Sequence, residues 1–303
     1  MATSLATKYR PKALKDFLGN EDVTKALRSM MERDEIPHSL LFTGPSGCGK
    51  TTLARIVASR LKCSQYDFTE NNAADFRGID SVRDILRQMT LSPMNGTCRV
   101  WLLDECHQLS KDAQHALLKA LEDTPTHVYF LLATTEPEKL LPTIKTRCVT
   151  FDVQPLSDND MTVLLDIVVD KELGTPLRKE ITDQIVQDSL GSARMALSIL
   201  DKIINMDVGD MLATAKQQAA QQNEAIDLCR ALIGKRPWKE IARIIQGITQ
   251  EPESVRRAVL GYASAVLLKS GQPQAYLVLD AFRQDFFTTG KAGLMMAAYA
   301  AVS

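Results

Sequence analysis

Bulk charge of one sign is missing from this sequence. Its 36 Lys and Arg are matched by 37 Asp and Glu, for a net charge of −1. Residues 1–155 taken alone hold 20 basic and 19 acidic side chains. A chain so balanced does not hold nucleic acid by overall attraction. It would need a local basic cluster, or several copies whose clusters add up. Long apolar runs are absent too: none reaches the roughly 18 residues of a membrane span, and "AGLMMAAYAAV" near the end reads as a buried helix. The opening "MATSLATKYRPK" lacks the roughly 7–15-residue apolar core of a secretion signal, so the expected compartment is the cytoplasm. Cys48, Cys63, Cys98, Cys106, Cys148 and Cys229 include no CxxC pair. That argues against a zinc ribbon and a disulfide framework, and it fits a reducing compartment. No internal repeat or low-complexity tract is visible.

What is present is enough apolar sequence, 45% of 303 residues, for two or three domains with cores of their own. Between residues 38 and 153 the short apolar runs "HSLLFTG", "YDFTEN", "CRVWLLDE", "VYFLLATT" and "VTFDV" alternate with helical patterns. Alternation of this kind predicts a parallel sheet covered by helices on both faces. Pro155 then stops the last strand, and Ser157 or Asp158 is placed to cap a new helix. Beyond residue 157 no strand pattern appears. Short helices up to residue 207 give way to longer amphipathic ones over 208–303, separated by the turn signals "IGKRP", "QEPES" and "KSGQPQ". The expected layout is an α/β domain over 1–155, a small helical domain over 156–207 and a larger helical domain over 208–303.

The stretch Gly44-Pro45-Ser46-Gly47-Cys48-Gly49-Lys50-Thr51, followed by Thr52, fits GxxxxGK[ST] between a strand and a helix. Its glycines let successive backbone N–H groups curl round phosphates, and the helix N-terminus adds partial positive charge. Lys50 would reach the β and γ oxygens, and the Thr51 hydroxyl would ligate Mg²⁺. "VWLLDE" ends a buried strand in Asp104 and Glu105. A carboxylate there belongs in the Mg²⁺ shell, and its neighbour can polarise an attacking water, which points to hydrolysis. "DECH" also resembles a helicase DExH box, but the other helicase patterns are missing, so His107 is expected to be a loop residue. "ATT" puts Thr134 and Thr135 at the sheet edge, where a hydroxyl can sense the last phosphate. No guanine-reading NKxD pattern exists, which favours ATP.

Two arginines stand apart. Arg147 in "IKTRCVTF" directly precedes the last strand, and Arg194 in "GSARMALS" opens a later helix. Surface ion pairing is the ordinary fate of arginine. At these places, however, one could reach a neighbouring copy's phosphate in trans, while the other reaches its own nucleotide from the second domain.

With these pieces assembled, the sequence resembles the AAA+ ATPases, and among them the sliding-clamp-loader subunits. It is similar both to the gamma/tau subunit of bacterial DNA polymerase III and to the small subunits of replication factor C. The pieces are "KYRPKALKDFLGNEDV", "GPSGCGKTTLAR", "RGIDSVRDIL", "LLDECHQLSKDAQHALLKALE", "LLATTEPEKLLPTIKTRC" and "GSARMALSILDK", covering residues 8 to about 203 in the family's order. The resemblance implies a RecA-like α/β AAA+ domain, a helical lid and an all-α collar that holds a five-subunit ring. It implies that Tyr9, Arg10 and Pro11, with Leu18 and Gly19, flank the adenine, and that Thr135 is a first sensor, Arg147 the trans finger and Arg194 a second sensor. ATP and Mg²⁺ are the implied cofactors. Other loader subunits, the sliding clamp and primer–template DNA are the implied partners, with no membrane, in the cytoplasm at the nucleoid or a viral replisome. Bacterial gamma/tau subunits carry a four-cysteine zinc module after the P-loop helix. This chain runs from "RLKCSQYDF" straight into "TENNAADFRGID", so no zinc is expected.

For DNA, Arg77, Arg83 and Arg87 fall around one helix whose start, at Gly78 and Ile79, permits close backbone approach. Ser110 and Lys111 open a second helix in the same manner. Helix N-terminal amides with a few basic side chains grip phosphates without reading bases. The alternative is a solvated face paired with Asp80 and Asp84. The resemblance favours DNA for Arg77, Gly78, Ile79, Arg83 and Lys111, and it leaves Arg87 open. Lys119 and Glu122 would either relay between that second helix and the Asp104 strand or form a plain i,i+3 ion pair. Apolar residues near "LRQMTLSPM" are candidates for meeting the clamp. The function implied is ATP-dependent clamp loading in replication. A branch-migration or helicase-loading AAA+ protein is the rival on the same fold, with a non-hydrolysing ring member and a P-loop kinase further off.

Overall fold

The computed structural model describes residues 4–75, 78–206, 211, 224–248, 252–286 and 289–302. The chain divides into two compact units, Met1–Met211 and Leu212–Ser303.

In the first unit the five apolar runs become the five strands β1 (Ser39–Thr43), β2 (Phe68–Asn72), β3 (Arg99–Asp104), β4 (Val128–Thr134) and β5 (Val149–Asp152). They form one all-parallel sheet in the order β2-β3-β4-β1-β5. Helices α1 (Leu5–Lys8), α2 (Glu21–Glu32), α3 (Lys50–Arg60), α4 (Ile79–Gln88), α5 (Lys111–Glu122) and α6 (Pro142–Arg147) are interspersed among them. Successive strand side chains point to opposite faces, so β1 splits its core residues. Leu41 joins Trp101, Phe130 and Leu132 under α4 and α5, which supply Val82, Ile85, Leu117 and Leu121. Leu40 and Phe42 join Leu102 and Leu131 under α2 and α3, which supply Leu27, Leu53, Ala54 and Val57. Central strands buried on both sides explain why "SLLFT" and "VWLLD" read as unbroken apolar runs. Because β4 lies between β3 and β1, the carboxyl ends of these three strands stand side by side.

The same unit continues into α7 (Asp158–Leu173), α8 (Lys179–Ser189) and α9 (Ala193–Ile203). Ser157 caps α7 by accepting the Asp160 N–H at 3.1 Å, and Ser192 caps α9 through the Met195 N–H at 3.3 Å. The expected boundary at 155/156 lies inside this unit, and the one at 207/208 falls outside the described residues.

The second unit is helical in all its described elements, Glu224–Ile233, Trp238–Gly247, Pro252–Ser270, Pro273–Ala281 and Gly290–Val302. They close over Leu228, Leu232, Ile241, Ile245, Val259, Phe282 and Leu294. One carboxylate is buried among them. Glu253 accepts from Arg256 at 2.7 and 2.9 Å, from Arg257 at 3.3 Å and from the Phe286 N–H at 2.9 Å. Those bonds, the Arg256 ones foremost, hold its pKa down at about 2 against the opposing effect of burial. Among the described residues of either unit, no helix is long and apolar enough to cross a membrane.

Candidate nucleotide-binding site

The chain leaves β1 through a loop whose backbone only glycine permits. Gly44 has φ +133°, and a Cβ there would meet the Val153 carbonyl at 2.1 Å. Gly47 has φ +80°, and its Cβ would meet the Ser192 hydroxyl at 2.1 Å and the Arg194 Cβ at 3.3 Å. The loop is therefore roofed by the start of α9. Lys50, the first residue of α3, is buried, and its ammonium donates to the carbonyls of Gly44 at 2.9 Å and Pro45 at 2.8 Å. Burial lowers its pKa, and the nearby Glu105 carboxylate opposes that shift.

Across from the loop, the Thr51 hydroxyl donates to Asp104 Oδ2 at 2.8 Å while Asp104 Oδ1 accepts the Glu105 N–H at 3.0 Å. Hydroxyl and carboxylate thus meet where a hard divalent cation takes oxygen ligands, so the donor set suits Mg²⁺. Glu105 sits at φ +49°, in the left-handed region, which costs a non-glycine residue about 1–2 kcal/mol. This backbone turns its carboxylate toward the end of β4. There Oε2 accepts from the Thr135 hydroxyl at 2.9 Å and from the Thr135 N–H at 3.3 Å.

Behind this pair lies a residue the sequence reading misjudged. His107 is not a loop residue but sits buried in a 3-10 turn, Cys106–Gln108. Its Nδ1 is 3.0 Å from the Thr134 hydroxyl and 3.3 Å from Glu105 Oε2, and its Nε2 is 3.4 Å from Glu136. The two-residue spacing from Glu105 in "DECH" was the available signal. Discounting the helicase box discarded it.

These groups open onto a cavity of about 520 Å³ lined by Ser46 through Thr52, Asp104, Glu105 and Arg194, with Tyr9, Pro11, Phe17, Leu18 and Leu156 supplying apolar and aromatic wall. Gly44, Pro45, Gly19, Thr135 and Arg147 are not in its lining. Gly19 lies just behind, against Leu156 and Asp160. The Tyr9 hydroxyl donates to Glu172 at 2.6 Å, which raises the tyrosine pKa and ties the N-terminal segment to α7. Arg10 is half-buried in the cavity wall, with Arg55, Glu70, Arg194 and Asp104 as its charged neighbours. Burial first, and Arg55 next, lower its pKa. Arg55 is itself paired with Glu70 at 2.7 Å, a feature the sequence reading did not anticipate.

Arg147 ends α6 away from the cavity. It donates to the Thr143 carbonyl at 3.2 Å and to Glu122 Oε1. Glu122 therefore bonds across to α6, in addition to whatever its neighbours on α5 offer.

Of the candidate DNA residues, Arg77 lies outside the described set. Gly78 precedes α4 in extended conformation with open space around it, and Ile79 is the first helical residue. Arg83 pairs with Asp80 at 3.0 Å and Arg87 with Asp84 at 3.1 Å, all four well exposed. Lys111 opens α5 and is exposed, and Ser110 caps that helix through the Ala113 N–H at 3.2 Å. Beyond α4, Asp67 is buried and accepts from the Ser64 hydroxyl at 2.6 Å and from the backbone N–H groups of Met94, Asn95 and Gly96 at 2.7, 3.1 and 3.1 Å. Burial would raise its pKa, but these bonds prevail and hold it well below the carboxylate range. The loop so fixed leaves Leu91 and Met94 in solvent.

Comparison with known proteins follows the same lines. A family described as DNA polymerase III, delta subunit, matches residues 67–157. The DNA polymerase III subunit gamma/tau of Mycobacterium tuberculosis is 33% identical over 224 residues, 66% of this chain and 39% of that protein. The subunit tau of Escherichia coli is 30% identical over 297 residues, 89% of this chain and 46% of its own length. The shorter subunit gamma of Buchnera aphidicola is 33% identical over 67% of this chain and 61% of its own. This chain thus spans only part of the length of the relatives it matches. Among solved structures, the Holliday junction branch migration motor RuvB of Thermotoga maritima superposes with a TM-score of 0.61 at 22% identity, over 90% of this chain and 91% of that one. The fold is the AAA+ fold, and the sequence resembles the gamma/tau subunits.

Proposed function

We propose that this protein is the ATPase subunit of a sliding-clamp loader, coupling ATP hydrolysis to placing a ring-shaped clamp on primer–template DNA. The carrying observation is the division of labour between two arginines. Arg194 lines the cavity from the start of α9, over the phosphate loop, whereas Arg147 stands at the end of α6, outside its own cavity. A group that is useful to hydrolysis yet absent from its own site suits a ring in which each copy completes the next.

In this reading the loop amides and Lys50 hold the phosphates, and Thr51 and Asp104 hold Mg²⁺, which when bound offsets phosphate charge. Glu105 orients and deprotonates water, and Thr135 links that carboxylate to the end of β4. Tyr9, Pro11, Leu18 and Gly19 form the base end, and Arg10 faces the phosphates. Residues 156–207 serve as a lid whose angle follows the nucleotide, and residues 208–303 as the collar of a pentamer. Gly78, Ile79, Arg83 and Lys111, with Arg77, line the DNA. A single copy offers only a few phosphate contacts, so affinity rises when several copies line one groove. Leu91 and Met94 meet the clamp. The compartment is the cytoplasm, and no zinc is used.

The test is steady-state ATPase of the assembled complex with and without clamp and primed DNA. Both together raise turnover, and Arg147→Ala lowers it by roughly 10³-fold. Unchanged turnover in that variant ends this reading. The likeness to the branch migration motor supports a second one on the same fold. Stimulation by four-way junction DNA in place of clamp and primed DNA would favour it.

A further inference from the structure

We infer that Glu122 is a positioning residue for Arg147, setting the guanidinium in the orientation in which a second copy's nucleotide phosphate meets it. The inference rests on the reading of Arg147 as a group that acts in trans. Glu122 is the last residue of α5, a helix held at its other end by the Ser110 cap. That helix also grips the chain leading into α6. The buried Gln114 side chain accepts the Leu141 N–H at 2.9 Å and donates to the carbonyls of Leu109 at 3.1 Å and Lys139 at 3.4 Å. The end of α5 and the end of α6 therefore face each other at a fixed place.

Across that gap the guanidinium is held twice. One terminal nitrogen donates to the Thr143 carbonyl at 3.2 Å, and the other donates to Glu122 Oε1. Two anchors on a planar group fix its plane as well as its position. Of the five N–H donors of an arginine, two are used here and three are left for a phosphate. A free arginine would have to surrender several rotamers on meeting its target, and this one has largely done so already.

Both partners are well exposed, about a third for Arg147 and half for Glu122. An exposed pair adds little to folding stability, so replacing Glu122 leaves the subunit folded and its effect is read in turnover. Bystander and parking readings make different predictions. A bystander pair changes nothing when broken, and a carboxylate that withholds the finger raises turnover when removed.

The experiment uses mixed assemblies, with clamp and primed DNA present. Copies with Lys50→Ala hydrolyse nothing themselves but carry an intact finger. Copies with Arg147→Ala have an intact pocket but no finger. Turnover then arises where the first kind lends its arginine to the second. Adding Glu122→Ala to the finger-lending copies lowers kcat about five-fold with little change in KM for ATP, as expected for lost orientation rather than lost binding. Glu122→Asp restores part of the loss, and the same substitution in the pocket-bearing copies has the smaller effect. Unchanged or increased turnover on adding Glu122→Ala to the finger-lending copies overturns the inference. If the finger-bearing mixture is no faster than one lacking Arg147 altogether, the underlying trans reading fails instead, so the two failures are told apart.

Discussion

The C-terminal helical unit buries an acidic side chain, whereas the carboxyl edge of the sheet keeps its acidic pair half-exposed, and the two treat them in opposite ways. Glu253 in the helical unit accepts from two arginines and a backbone N–H, all supplied by its own unit. At the sheet edge, Glu105 takes a left-handed backbone and accepts from the hydroxyl and N–H of Thr135, with no arginine beside it among the described hydrogen bonds. Thr51 likewise spends its hydroxyl on Asp104, and Lys50 its ammonium on loop carbonyls. Contacts of the first kind are permanent and hold structure. On the function proposed above, those of the second kind are contacts that a phosphate and a cation would take over, in keeping with the strained backbone at Glu105, since strain clusters at functional sites.

The contrast can be broken in several places. Glu105→Gln has the largest expected effect, a fall in kcat of about 10²–10⁴-fold, with ATP binding kept and the melting temperature nearly unmoved. A large loss of stability there would make the carboxylate structural after all. Glu253→Ala is the converse: a buried pair left with one partner costs about 3–5 kcal/mol, read by denaturant unfolding of the full chain, and no direct part in the chemistry is lost. The same carboxylate sets an acid limit. Because its folded pKa is depressed to about 2 from the ordinary 4.5, its contribution is complete above the ordinary value and drains away as pH falls toward 2. Glu253→Gln flattens the pH dependence of stability in that window. His107→Asn lies between the two classes, lowering kcat about ten-fold while also reducing stability by about 1 kcal/mol. Smallest is Tyr9→Phe, which removes the bond to Glu172 and raises KM for ATP about two- to three-fold, checked by ATP titration of the ATPase.

The same division explains what could be read from sequence. Residues 44–51 carry glycines, a lysine and a hydroxyl at the spacing that phosphate binding demands, and the five strands stood out by their apolar runs, three of them largely buried. Contacts made across the fold left no local trace. Tyr9 meets Glu172 across 163 positions of sequence, Arg55 meets Glu70 between α3 and β2, and Glu122 reaches Arg147 across 25. Arg10 shares a tripeptide with Tyr9 and Pro11, yet its charged neighbours Arg55, Glu70, Arg194 and Asp104 come from elsewhere in the chain. His107 escaped because burial of a polar ring depends on what β4 brings beside it. The helical unit offered periodicity without chemistry, so its helices were legible and its acidic node at Glu253 was not.

One small device, the Asp67 carboxylate that gathers the amides of residues 94–96, has a consequence for how this surface can change. The form of that tip is dictated by the main chain, so the identities of Leu91 and Met94 are not needed to make it. Side chains there can be rewritten one at a time without rebuilding the scaffold beneath, which turns the tip into an interchangeable adaptor. A lineage, or an engineer, wanting a different docking preference has only to redecorate it.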